Sequence, residues 1–175
     1  AFAERVDLPV IEDAPYRAGR ELRYFREVAR EPEIPFDEIV VYEDAHLLVA
    51  DKPHFLPVMP AGKYLQETLL VRLKRKTGID ALTPMHRLDR ETAGVMLFVI
   101  KPETRGAYQS LFLHKQVQKK SLAIAPCNEK SALPVTRKSR LQVSGHFMRM
   151  QEVAGAPNSE THIALIEHRN GLGRY

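Results

Sequence analysis

Residues 83–100 are TPMHRLDRETAGVMLFVI, a short charged stretch followed by an uninterrupted apolar run. The apolar run has the length and the β-branched and aromatic content of a buried strand. Asp89 lies just before this run, between Arg87 and Arg90, and His86 begins the charged stretch. The pattern therefore predicts a core strand that carries, at its amino-terminal end, a carboxylate flanked by two guanidinium groups.

The rest of the chain alternates between strand and helix patterns. Apolar residues three or four apart predict helices, and short apolar or alternating runs bounded by turn residues predict strands. Helices are predicted over residues 19–30, 64–78 and 102–116, two strands within 38–53, and antiparallel strands after residue 117. These elements predict an α+β fold with a mostly antiparallel (mixed) β-sheet and flanking helices.

Charge is distributed unevenly along the 175 residues. Residues 1–44 carry 12 acidic and 6 basic side chains, a net charge of −6, whereas residues 45–175 carry 10 acidic and 20 basic ones, a net charge of +10. A basic body suits a polyanion such as nucleic acid, although a solvated basic surface is the alternative. Arg72 and Lys76, on the predicted helix at 64–78, are among the candidate phosphate contacts.

Several classes of protein are disfavoured by what the sequence contains. The single cysteine, Cys127, fits a reducing, cytoplasmic compartment, and the longest apolar run is too short to span a bilayer, so no membrane partner is expected. The seven histidines show no spacing typical of metal ligands, so no metal site is predicted. There is no phosphate-binding glycine-rich motif, and Leu88 separates HR from D, unlike the kinase catalytic loop.

The chemistry of Asp89 is left open by its neighbours alone. A nearby arginine favours the ionised carboxylate and lowers its pKa by about 1–3 units. Such an aspartate suits a nucleophile or an electrostatic stabiliser better than a general acid. A plain ion-pair cluster at the head of a strand is, however, the more common arrangement.

HRLDRETAG, residues 86–94, resembles the signature H-R-L-D-x-x-T-[SA]-G of the RluA-type pseudouridine synthases. VVYEDAHLLVADKPHFLPVMP, residues 40–60, and AYQSLFLHKQVQK, residues 107–119, resemble the segments that flank this signature in the family. The resemblance implies a pseudouridine synthase catalytic domain over residues 38–175, and the acidic residues ahead of it are interpreted as an amino-terminal extension over residues 1–37. We expect the family's later T-G-[RK]-T-H-Q-[IL]-R segment to follow Tyr175.

The resemblance implies an enzyme that isomerises specific uridines of structured RNA to pseudouridine without a cofactor or metal. Large-subunit ribosomal RNA is the favoured substrate, transfer RNA is the alternative, and a monomer is expected. Asp89 is the implied catalytic residue, and Arg87 is implied to fill the space that the flipped base vacates, since a guanidinium stacks on bases. The candidate substrate contacts are His86, Arg90, Lys119 and Tyr108.

One departure from the family pattern weakens the catalytic interpretation. The family has a tyrosine that packs on the target base two residues after a lysine, whereas Ser121 follows Lys119 at that spacing. A serine side chain cannot stack on a base, so either Tyr108 or Phe147 substitutes for the tyrosine or the activity is weak. Two alternatives therefore stay open, a non-catalytic RNA-binding protein with a degenerate synthase fold and an enzyme that uses Asp89 on a small molecule.

Overall fold

The computed structural model describes most of the chain. The chain forms two compact units, Ala1–Val117 and Gln118–Tyr175. The described residues are 2–3, 13–16, 18–19, 23–24, 28, 30–127, 132–146 and 149–175. The predicted boundary between residues 37 and 38 stays a prediction. The division after Val117 coincides with the change to short antiparallel strands predicted after residue 117.

The first unit is built on a four-stranded antiparallel sheet. A short pair, β1 (Phe2–Ala3) with β2 (Arg23–Tyr24), precedes it along the chain. The sheet has the order β3-β4-β6-β5, and its strands are β3 (Ile39–Glu43), β4 (Leu47–Lys52), β5 (Thr83–Pro84) and β6 (Gly94–Val99). The strands predicted within residues 38–53 and at residues 94–100 are thus confirmed.

The helix predicted over residues 19–30 is wrong at Arg23–Tyr24, which form β2, and most of its other residues lie outside the described part of the chain. Helical spacing of a few apolar residues is a weak preference. Pairing with β1, which is distant in sequence, overrides it here.

Alternate residues of β4 and β6 form the core together with helix α1 (Leu69–Thr77). Thr68 caps the helix by accepting the Val71 N–H at 3.4 Å, and Gly78 ends it with a left-handed φ of 73°. Gly78 was the predicted stop, but the helix begins five residues later than predicted. The core of the first unit includes six fully buried residues: Leu48, Ala50, Leu69, Leu73, Met96 and Phe98.

The late start of α1 follows from a carboxylate that binds the backbone ahead of it. Glu31 accepts the N–H groups of Leu65 and Glu67 at 2.7 and 2.6 Å through Oε1, and that of Gln66 at 2.9 Å through Oε2. Burial raises the pKa of Glu31, but the backbone hydrogen bonds outweigh this effect and hold that pKa below its usual value. These residues are therefore fixed in a non-helical turn.

We expect Glu31→Gln to lower the free energy of unfolding by about 1–2 kcal/mol at neutral pH, because an amide cannot accept all three hydrogen bonds. The lowered pKa of Glu31 makes its contribution full above the ordinary glutamate pKa of 4.5 and progressively lost as the pH falls below it. Denaturant unfolding from pH 7 to pH 3 should show the two proteins converge in acid. Glu33→Gln, at an exposed neighbour, is the control and should change little; a difference independent of pH would contradict this account.

The segment before β3 is fastened to α1 through Arg72. Its guanidinium donates to the carbonyl oxygens of Ile34 and Phe36 at 2.7 Å each and pairs with the carboxylates of Glu67 and Glu38. Only 13% of the Arg72 side chain is exposed. The expectation that Arg72 contacts RNA phosphate is therefore wrong, because its donors are already engaged within the protein.

A second helix follows β6. A 3-10 turn at Pro102–Thr104 leads into α2 (Arg105–Leu113), which lies within the predicted range 102–116 and ends three residues before the end of that range. The Arg105 guanidinium donates to the Thr83 hydroxyl at 2.7 Å and so ties the first turn of α2 to β5.

The second unit is entirely β among its described residues, and its pairings are antiparallel as predicted. Its strands are β7 (Ile124–Pro126), β8 (Val135–Val143), β9 (Met150–Val153), β10 (Ser159–Ile163), β11 (Glu167–Arg169) and β12 (Leu172–Arg174). They form two three-stranded sheets, with the orders β10-β8-β9 and β11-β12-β7. With the first unit, this confirms the predicted α+β fold.

Candidate functional site

The loop between β5 and β6 carries four of the predicted site residues. The Met85 N–H donates to the Leu97 carbonyl at 2.9 Å where the loop leaves the sheet, and the Thr92 N–H donates to the Asp89 carbonyl at 3.1 Å. The second bond closes a turn over residues 89–92. The sequence thus places Asp89 at the start of a turn whose backbone is fixed on both sides.

The carboxylate of Asp89 is exposed and has no hydrogen-bond or salt-bridge partner among the residues that the structure describes. The guanidinium of Arg90 turns instead to Glu91, with Nη2 2.7 Å and Nε 2.9 Å from Oε1. The hydrogen bond from Arg90 lowers the pKa of Glu91. Arg90 is adjacent in sequence to both Asp89 and Glu91, and in the structure it pairs with Glu91, so Asp89 has no ion-pair partner among the described residues.

Lys52 supports this loop from inside the protein and was not among the site residues predicted from the sequence. Its side chain is fully buried, and its ammonium donates to the carbonyls of Leu56, Pro53 and Arg90 at 2.8, 3.1 and 3.1 Å. Burial lowers the pKa of Lys52, while the negative charges of Glu91 and Asp89 act in the opposite direction. The strand alternation that buries Leu48 and Ala50 also turns residue 52 inward, which was the available signal.

Two histidines brace the loop. His86 accepts the Leu97 N–H through Nε2 at 3.3 Å, and its ring stacks on Phe112 of α2 with centroids 5.3 Å apart. On another side, Nδ1 of His54 donates to the Glu91 carbonyl at 2.6 Å. These contacts join His86 to β6 and α2, and its contact with substrate stays a prediction.

The other predicted site residues lie elsewhere in the chain. Tyr108 is half-buried on α2. Lys119 and Ser121 are exposed in the second unit, in a stretch without regular secondary structure. Phe147 lies outside the described residues. The structure therefore brings together His86, Arg87, Asp89 and Arg90, and the roles of Tyr108 and Lys119 stay predictions.

Within the described part of the chain, no three His, Cys, Asp or Glu side chains are grouped so as to hold a metal ion. No helix among the same residues is long and apolar enough to cross a membrane.

Comparison with known proteins identifies a family that this chain matches. The family model described as RNA pseudouridylate synthase matches residues 46–173. An uncharacterized RNA pseudouridine synthase of Synechocystis is 40% identical over 105 residues, and the tRNA pseudouridine(31) synthase of Saccharomyces cerevisiae is 37% identical over 84. The matches cover 55% and 48% of this chain, which spans only 36% and 20% of the length of these relatives.

Two solved human structures share the fold. Human RNA Pseudouridylate Synthase Domain Containing 1 aligns with a TM-score of 0.60 at 17% identity, over 83% of this chain and 60% of that one. Human RNA Pseudouridylate Synthase Domain Containing 4 aligns with a TM-score of 0.52 at 23% identity, over 77% and 56%. At these identities the likeness supports the fold, and residue roles have to be argued from this chain.

Proposed function

The chain belongs to the RNA pseudouridylate synthase family, and we propose on that premise that it isomerises specific uridines of structured RNA to pseudouridine. The observation that carries the proposal is Asp89, an exposed carboxylate without a partner among the described residues, in the loop that bears the family signature. Large-subunit ribosomal RNA is the favoured substrate and transfer RNA the alternative.

The proposed reaction breaks the bond between N1 of uracil and C1′ of the ribose, turns the base, and joins C5 to C1′; C5 loses its proton and N1 gains one, so the reaction is an isomerisation. It is redox-neutral and transfers no external group. An ionised carboxylate can act as a nucleophile or stabilise developing positive charge on the sugar. Because Arg90 is paired with Glu91, Asp89 reaches a substrate without first breaking an ion pair.

The target uridine has to leave its stack to reach Asp89, which costs a few kcal/mol. Arg87 is exposed two residues before Asp89, so a base extruded toward Asp89 would leave its gap close to the Arg87 side chain. We propose that the planar guanidinium occupies that gap, where it stacks on the neighbouring bases and hydrogen-bonds to phosphate.

We expect Arg87→Ala to reduce pseudouridine formation in structured RNA about a hundredfold while weakening RNA affinity only a few-fold, because the variant loses a group that offsets unstacking. Arg87→Lys should rescue poorly, since an ammonium carries charge without a plane. Single-turnover assays beside equilibrium binding separate the two effects. Full rescue by lysine would show that Arg87 acts through charge alone.

The proposal as a whole is tested in the host organism. Pseudouridines mapped by carbodiimide modification should disappear at specific positions of ribosomal or transfer RNA when the gene is deleted, and return with the wild-type gene. Ser121, which replaces the expected tyrosine, favours a second candidate, a non-catalytic RNA-binding protein. An unchanged pseudouridine map together with RNA bound in the cell would support that candidate.

A further inference from the structure

A groove of about 310 Å³ lies beside the loop that carries Asp89. Its lining includes apolar side chains, two carboxylates, Lys52, His54 and the end of the loop. Those that bear on its chemistry are Phe36, Ile39, Phe55, Asp37, Asp51 and Ala93. The volume lies at the lower end of the range of small-molecule pockets, which suits one planar group.

The apolar part of the groove is aromatic and exposed. Phe36 and Phe55 are 46% and 51% exposed, with ring centroids 6.2 Å apart and ring planes inclined by 38°. Phe55 has a φ of 68°, in the left-handed region that a bulky side chain rarely adopts. Strained residues of this kind concentrate at ligand sites, because the backbone there is shaped for the ligand.

The polar part of the groove consists of hydrogen-bond acceptors. The carboxylates of Asp37 and Asp51 are exposed, and neither has a hydrogen-bond or ion-pair partner in the described portion of the chain. The cation in the wall, Lys52, is buried and donates to three carbonyl oxygens. The groove therefore repels a phosphate and favours a planar group with an edge rich in N–H donors.

Among the RNA bases, guanine fits this combination best. Its N1–H and N2 amino group lie side by side and can donate together to one carboxylate, while its ring stacks on phenylalanine. Uracil presents two carbonyl oxygens on either side of its N3–H, so a carboxylate repels most of that edge. The target base is therefore a poor ligand for the groove.

The groove is also close to the proposed reaction centre. Ala93 lines it only four residues after Asp89, which limits the separation of their Cα atoms to about 14 Å. His54, another lining residue, donates to the Glu91 carbonyl within the same loop. A nucleotide in the groove would thus be a near neighbour of the target uridine.

We propose that this groove binds an unpaired guanine of the substrate RNA, which stacks against Phe55 and Phe36 and donates to Asp51. This inference rests on the proposed function, since it makes the substrate an RNA with a guanine near the modified uridine.

The test measures binding of fluorescein-labelled single-stranded RNA hexamers to the 175-residue chain by anisotropy. The probes are oligouridine with one guanosine, the same sequence with inosine, which lacks the N2 amino group, and oligouridine alone. We expect the guanosine probe to bind about tenfold more tightly than oligouridine, with inosine intermediate. Asp51→Asn should abolish the difference between guanosine and inosine.

Phe55→Gly separates binding from folding. Glycine adopts a positive φ without strain, so this variant should keep or raise the melting temperature while losing about tenfold in affinity for the guanosine probe. Leu113→Ala, at an exposed apolar residue of α2, and Asp80→Asn, at an exposed carboxylate, are the controls and should bind as the wild type does.

Equal affinity for the three probes, or wild-type binding by both Phe55→Gly and Asp51→Asn, would overturn the inference. A further result would also overturn it. If arginine amide, but not the guanosine probe, changes the NMR chemical shifts of Phe55 and Asp51, the groove binds a cationic side chain of a partner protein instead. The assay measures RNA binding and not catalysis. A failure to form pseudouridine would therefore count against the proposed function and leave the binding result unaffected.

Discussion

Asp89→Asn is expected to reduce pseudouridine formation by on the order of a thousandfold or more, while RNA affinity stays within about twofold. The amide has nearly the shape of the carboxylate but carries no negative charge, so it cannot attack the substrate or stabilise positive charge. Because the Asp89 carboxylate has no salt-bridge partner among the described residues, its removal breaks no ion pair there, and stability should be nearly unchanged.

The measurement is pseudouridine formation in substrate RNA by the wild-type and Asp89→Asn proteins, mapped by carbodiimide modification. RNA affinity and thermal unfolding are followed in parallel. Asp80→Asn, at an exposed aspartate after α1, is the matched control and should be fully active. Normal product from Asp89→Asn would remove Asp89 from the mechanism. Equal loss of activity and of affinity would assign it to binding instead.

Lys52→Met is expected to lower the free energy of unfolding by about 3 kcal/mol. Three carbonyl oxygens lose a charged donor, and hydrogen bonds to charged groups contribute about 1.5–3 kcal/mol each. Removing a buried charge offsets part of this loss, because the ammonium no longer has to be desolvated. The balance favours destabilisation, since methionine fills the space but donates no hydrogen bond.

Denaturant unfolding measures this change, and amide hydrogen exchange locates it. Exchange should accelerate at residues 89–92, because the Arg90 carbonyl is one of the three acceptors. Lys63→Met, at an exposed lysine, should change stability by less than about 1 kcal/mol. A Lys52→Met protein that unfolds as the wild type does would show that the ammonium does not hold the loop.

Local chemistry made much of the first unit predictable. The turn between β3 and β4 follows from Asp44, whose carboxylate accepts the N–H groups of His46 and Leu47 at 2.7 Å each, within three residues of sequence. The stop at Gly78 also depends on neighbouring residues, and the strand at Gly94–Val99 was evident from its uninterrupted apolar run. Such features can be predicted because the interacting groups lie only a few residues apart in the sequence.

The candidate site was predictable only in part. The charged loop, its position before a core strand and its family resemblance were evident from residues 83–100. The partner of Arg90 was not, because Asp89 and Glu91 are both adjacent to it and attract it through the same charge. Side-chain geometry in the folded loop decides between them, and that geometry depends on Lys52 and His54, which lie more than 30 residues away.

The sequence by itself determined the α+β class, the antiparallel pairing of the strands and a loop with one aspartate between two arginines. Only the tertiary structure decided which charges are available. It engaged Arg72 with Glu67 and Glu38, buried Lys52 beneath the loop, and left the carboxylates of Asp89 and Asp51 exposed. The physical reason is that periodicity records which face a residue occupies, whereas the state of a charge depends on burial and on atoms a few ångströms away that are distant in the chain.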